Sequence, residues 1–117
     1  MFRRAALAAL TLSLCAVPAL AQPDGEQLFA LQCRLCHDDE VMGPSLVGVA
    51  DRKVGAGAFE FSDALKAKGE AGATWTDAEL DAFLKSPPAY APGSKMFSSV
   101  ASDENRAAII AYLKTLK

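Results

Sequence analysis

Cys33-Arg34-Leu35-Cys36-His37 is the stretch of this chain that most restricts what it can become. Two cysteines three positions apart, followed at once by a histidine, form a C-x-x-C-H run, the pattern of a c-type haem attachment site. On one helical turn, each thiol can add to one vinyl group of a porphyrin. The next residue then falls under the ring, where its imidazole can bind the iron. Scarcity sharpens the point, because His37 is the only histidine among 117 residues.

Two other uses of C-x-x-C fit less well. A structural zinc site needs four ligands, almost always Cys and His. The chain has three cysteines and one histidine, and Cys15 lies in a segment expected to be removed. A thioredoxin-like dithiol needs a βαβ setting, and no β-branched apolar run flanks residues 33–36.

Residues 1–21 are expected to be a cleaved secretory signal. Arg3 and Arg4 precede an apolar run from Ala5 to Val17, and Ala19-Leu20-Ala21 gives a small-x-small cleavage pattern ending before Gln22. The run is shorter than the roughly 20 residues a membrane span needs; retention as an anchor is the alternative. Lipoprotein processing at Cys15 is disfavoured by bulky Leu14. Export suits the motif, since haem is joined to such cysteines outside the cytoplasm. A periplasmic location and a single domain over 22–117 are therefore expected.

Removing 21 of 117 residues leaves 96. A chain of that length buries only about 60–65% of its unfolded surface, so a large planar cofactor would stand in for missing core. Without Arg3 and Arg4, ten Lys and Arg face fourteen Asp and Glu, a balance of −4. That excludes nucleic acid, which wants a basic stripe, and argues against an anionic membrane surface.

The mature segment reads as all-α with long loops. Asp24 and Gln27 suggest a capping box opening a helix to about Leu35. Residues 38–61, with five glycines and prolines, read as a functional loop. Ser62 caps an expected short helix from Asp63 to Lys68, ended by Gly69, and Gly69–Thr74 is a connector. Thr76 and Glu79 open a third helix to about Lys85, with Leu80, Phe83 and Leu84 at helical spacing and Pro87-Pro88 as its stop. Residues 87–101 are expected to be irregular, around a Pro92-Gly93 turn. Ser102 caps a last helix bearing Ile109, Ile110, Tyr112, Leu113 and Leu116.

His37 can fill only one of two axial positions on iron, and no second histidine exists. Lysine or an open site remain alternatives, but methionine is the common soft partner in electron-transfer sites. Met42 lies five residues from His37, too near to reach the opposite face easily, whereas Met96 lies 59 residues on, in a Pro-Gly loop. Met96 is the expected ligand, against the plainer reading of core filler.

Across nearly all of the mature segment the chain resembles the class I cytochrome c family, of the mitochondrial cytochrome c and bacterial cytochrome c2 type. Gly25-x-x-x-Phe29 is similar to the family's N-terminal helix, with Tyr112 and Leu113 as the other half of a helix crossing. Gly43-Pro44-x-Leu46-x-Gly48 resembles the segment whose proline carbonyl accepts the proximal imidazole N–H. Pro92-Gly93-Ser94-Lys95-Met96 resembles the distal-ligand loop. The resemblance also implies that Arg52, Ser62, Trp75 and Ser94 hold the haem propionates. Taken alone, Trp75 could be a core aromatic and Arg52 a surface charge. Phe61, Leu65 and Phe83 stand where the family usually carries polar groups, so a drier haem pocket is expected.

The resemblance implies a monomeric electron carrier with one haem c, held by Cys33 and Cys36 and ligated by His37 and Met96. Its partners would be redox protein donors and acceptors: a respiratory or photosynthetic cytochrome bc complex, a terminal oxidase or a dehydrogenase. No catalytic residue is expected. The alternatives are an electron-accepting subunit of a periplasmic dehydrogenase and a small haem peroxidase, which would need distal acid–base groups. Lys53, Lys66, Lys68, Lys85 and Lys95 either form a local steering patch or are scattered solvated charges.

Overall fold

The computed structural model describes residues 13, 15, 16 and 22–117. The expected leader, residues 1–21, therefore lies almost wholly outside the described residues. Six helical segments follow in order: α1 (Gly25–Gln32), α2 (Arg34–His37), α3 (Asp63–Glu70), α4 (Asp77–Lys85), α5 (Pro87–Tyr90) and α6 (Asp103–Leu113). The all-α expectation is met. Among the described residues there is no strand, only an isolated antiparallel bridge between Lys53 and Thr74. No helix among them is long and apolar enough to cross a membrane.

Short polar side chains start these helices by satisfying backbone N–H groups that have no intrahelical partner. Asp24 Oδ1 accepts from the Glu26 and Gln27 amides at 3.0 and 3.2 Å. Thr76 Oγ1 accepts from Glu79 N at 3.3 Å, and Ser102 Oγ from Asn105 N at 3.2 Å. Ser62 caps α3 in the same way, through Leu65 N.

Four helix expectations need correction. Helix α6 ends at Leu113, so Leu116 lies beyond the last helix rather than on it. The first helix does not run unbroken to Leu35, because Cys33 interrupts it as the cap shared by α1 and α2. Gly69 does not end α3, which continues to Glu70. A Cβ at Gly69 would stand 1.9 Å from the Val54 carbonyl oxygen, so this glycine permits a close crossing of α3 and the loop. Pro87-Pro88 ends α4 but also opens α5. Both prolines sit in the first helical turn, where a missing N–H costs nothing, and Ser86 Oγ caps it from Ala89 N at 3.3 Å.

The core gathers where α1 and α4 pack on α6. Phe29, Leu80, Leu84, Ile109, Ile110 and Leu113 are all buried. Gly25 lets α1 approach the α6 backbone, and the Phe29 and Tyr112 rings stand 5.1 Å apart beside it. This crossing leaves the C-terminal end of α1, with its cysteines, free to face the loops.

Candidate haem site

The attachment motif occupies the α1–α2 junction. Cys33 and Cys36 are free thiols, each half-buried. Burial first, and then the Cys36 charge, pushes the Cys33 thiol up from its usual range. His37 Nδ1 lies 2.7 Å from the Pro44 carbonyl oxygen. A carbonyl only accepts, so Nδ1 is the donor here, and in the neutral imidazole Nε2 then carries the lone pair. That is the tautomer a metal-binding imidazole needs, with its orientation fixed from behind. The resemblance anticipated this contact. It did not anticipate the tight approach of Gly43, where a Cβ would stand 2.9 Å from His37 Nδ1 and 3.1 Å from the Cys36 carbonyl oxygen.

Pro44, Ser45, Arg52, Phe59 and Phe61 line a cleft of about 210 Å³. Arg52 and Trp75 come together through the backbone: Trp75 N donates to Arg52 O at 2.8 Å, and Asp51 N donates to Trp75 O at 2.9 Å. Arg52 Nη1 and Nη2 reach the carbonyls of Val47 and Ser45 at 3.4 Å. Arg52 Nε is buried with no partner among the described residues. A buried cationic donor without an acceptor is costly, and a carboxylate of the haem would supply one. This orphaned donor, together with an imidazole oriented through Nδ1 and two free thiols, fits haem c.

Trp75 is buried, stacked on Tyr90 at 5.7 Å and tilted against Phe83 at 5.1 Å. Phe61 and Leu65 are buried too, and Phe59 meets Phe61 edge-on at 5.3 Å. Ser62 is buried with its oxygen on Leu65 N. Buried Ser94 turns its hydroxyl onto Met96, bonding both the Met96 amide and carbonyl at 3.2 Å. The two candidate methionines differ sharply. Met96 is partly buried against the core, while Met42 is 64% exposed.

Sequence reasoning missed Arg106. Its guanidinium is almost wholly buried and bonds Asp81 Oδ1 at 2.8 Å, Val100 O at 2.8 Å, Ala101 O at 3.0 Å and Asp103. It thus ties the far end of the Met96 loop to α4 and α6. The signal was present: Arg106, Ile109, Ile110 and Leu113 repeat at i, i+3, i+4 and i+7, so an arginine sits on the apolar stripe. Tyr90 was also missed. Its hydroxyl donates to Glu79 Oε2, and Lys68 Nζ lies 4.2 Å from its ring centre.

Of the two readings of the lysines, the structure favours dispersal, because three of the five are taken up by internal contacts. Lys66 pairs with Glu60 at 2.8 Å, Lys95 donates to the Glu60 carbonyl, and Lys68 caps Tyr90. A larger open groove of about 760 Å³ runs along α1 and α6 and contains none of the candidate site residues.

A small helical fold that presents two thiols and an oriented imidazole at a helix junction defines a covalent haem protein. The comparisons agree. The family model described as cytochrome c matches residues 23–117. Cytochrome c of Tetrahymena pyriformis is 37% identical over 108 residues, covering 85% of this chain and 96% of that protein. Among solved structures, cytochrome cH from Methylobacterium extorquens is 43% identical with a TM-score of 0.68, covering 78% of this chain and 94% of that one. Ferricytochrome c2 from Rhodopseudomonas palustris is 34% identical with a TM-score of 0.73, covering 80% and 96%. The chain belongs to the cytochrome c family. It is a single-haem electron carrier rather than an enzyme.

Proposed function

We propose that this protein is exported to the periplasm, where it carries single electrons on a haem held by Cys33 and Cys36 and ligated axially by His37 and Met96. When bound, the haem supplies a one-electron iron couple. The observation that carries the reading is the 2.7 Å contact from His37 Nδ1 to Pro44 O, which leaves Nε2 unprotonated for a metal. Met96 is favoured over Met42 by its packing against the core and by the Ser94 hydroxyl that pins its backbone. With Met96 as its second protein ligand, the haem would have a raised potential and no position open to added ligands.

Arg52, whose Nε is buried without a partner among the described residues, would neutralise propionate charge when the haem is bound. Trp75 and Ser62 add polar contacts, and Ser94 combines such a contact with holding the distal loop. The leader, residues 1–21, is cleaved before Gln22, which releases the domain as a monomer that exchanges electrons with docked donors and acceptors of a respiratory or photosynthetic chain.

Expression with a periplasmic haem-attachment system should give a protein that begins at Gln22 and carries one covalent haem by mass. Its oxidised form should show a Met–iron charge-transfer band, lost in Met96→Ala and retained in Met42→Ala. Rapid carbon monoxide binding by the reduced wild type, or loss of the band in Met42→Ala, would overturn the ligand assignment.

A further inference from the structure

Helix α1 gives way to α2 at Cys33, whose backbone lies in the right-handed helical region and whose amide still donates to Phe29 O at 2.9 Å, so the chain turns there without reversing. Leu31 and Leu35 flank this junction, one on each helix, and they are 76% and 85% exposed. Val41 and Met42, 76% and 64% exposed, follow within the same stretch. A single exposed leucine needs no explanation. Four large exposed apolar side chains within twelve consecutive residues are a concentration that does.

Between the two halves of the patch stand Asp38, Asp39 and Glu40, all exposed. None of them joins an ion pair among the described residues. Exposed Arg34 is the one cation of the stretch, against three carboxylates. Three of the five lysines that could give a positive face are engaged elsewhere, Lys66 and Lys95 on residue 60 and Lys68 on Tyr90. Leu35 lies between the two thiols that anchor the cofactor, so whatever touches it is within a residue of the electron's exit.

We propose that residues 31–42 form the docking face for a redox protein whose contact surface has an apolar centre flanked by lysine and arginine. The proposal rests on the haem reading above. Apolar contact through Leu31 and Leu35 sets the close approach, while Asp38, Asp39 and Glu40 steer the encounter. In the exchange a one-electron carrier of the partner is oxidised and the iron here is reduced, or the reverse, and no proton moves.

The test uses the reduced holoprotein in stopped flow with two small oxidants. Tris(phenanthroline)cobalt(III), a cation with apolar ligands, mimics the partner; ferricyanide is its anionic counterpart. Wild-type oxidation by the cobalt complex should slow by about tenfold as salt rises from low to physiological strength, and oxidation by ferricyanide should quicken. The triple variant D38N/D39N/E40Q should flatten both slopes. The control E26Q/E70Q/E104Q removes the same charge elsewhere and should keep most of each slope. Leu31→Ser with Leu35→Ser should lower the cobalt rate several-fold relative to the ferricyanide rate. Equal effects of the two triple variants, or an unchanged rate ratio in the leucine variant, would overturn the docking face while the haem spectrum stands. A protein without covalent haem would overturn both readings.

Discussion

Gly25 faces the carbonyl oxygen of Ala108 so closely that a Cβ on the glycine would stand 2.1 Å from it. No real side chain tolerates that distance, and the atom in the way belongs to the α6 backbone. Gly25→Ala should therefore push α1 off α6 and disturb the Phe29–Tyr112 contact beside it. The expected loss is about 3 kcal/mol, read as a lower urea midpoint with an unchanged slope. An unaltered midpoint would mean that the crossing is loose enough to absorb a methyl group.

Gly43→Ala probes the support behind His37. The added Cβ would meet the imidazole at 2.9 Å and the Cys36 carbonyl at 3.1 Å, forcing the ring away from Pro44 O. Overpacking of this kind costs about 1–3 kcal/mol. A weaker hydrogen bond also makes the imidazole less basic, which favours reduced iron. The midpoint potential of the haem protein should rise, and the yield of covalent haem should fall. A redox titration with haem quantitation on the same samples checks both.

Much of this site was legible because it is local in sequence. The spacing of Cys33, Cys36 and His37, and the caps at Asp24, Ser62, Thr76 and Ser102, need only a few consecutive residues to declare themselves. Long-range polar contacts were not legible that way. Pairing of Arg52 with Trp75, or of Tyr90 with Glu79, depends on how loops return to one another across the fold. Helix α5 was hidden for another reason: the two prolines that stop α4 are also good first-turn residues, and the stop signal masked the start. Gly69 was misjudged because a glycine that ends a helix and one that permits close packing look the same in a string of letters.

Arg106 should matter to the Met96 loop more than to the helices that carry it. Its Nη1 donates to the last two carbonyls of that loop, at Val100 and Ala101. Arg106→Gln cannot reach all four acceptors, which frees the loop and leaves buried carbonyls unpaired. The oxidised variant should lose its Met–iron band at lower pH and lower urea than wild type, before helical circular dichroism falls. Simultaneous loss of both signals would assign Arg106 to global stability alone.

Tyr90 should set an alkaline limit on stability. Burial, then the hydrogen bond to Glu79 and its charge, raises the Tyr90 hydroxyl well above its ordinary value. Above about pH 10, where an unfolded tyrosine ionises, the folded chain still holds this proton and the unfolded chain does not. Stability is complete below that pH and falls as pH rises through the interval up to the folded value. Urea midpoints from pH 8 upward should fall less steeply for Tyr90→Phe than for wild type. At neutral pH the variant should be the less stable of the two, since it lacks the bond to Glu79.

Phe83 turns a packing detail into a spectroscopic observable. Its ring lies 5.1 Å from Trp75 and 5.6 Å from Tyr90, in an aromatic cluster that gives a new hydroxyl little to bond. Phe83 is partly buried, whereas Phe61 and Leu65, the other two apolar replacements, are buried. Replacing Phe83 with tyrosine would bring a proton donor and hydration into that cluster, lowering the cost of charging groups near the distal ligand. The oxidised wild type should keep its Met96–iron band to higher pH than Phe83→Tyr does. Equal alkaline midpoints for the two proteins would show that dryness around Phe83 does not control the bond.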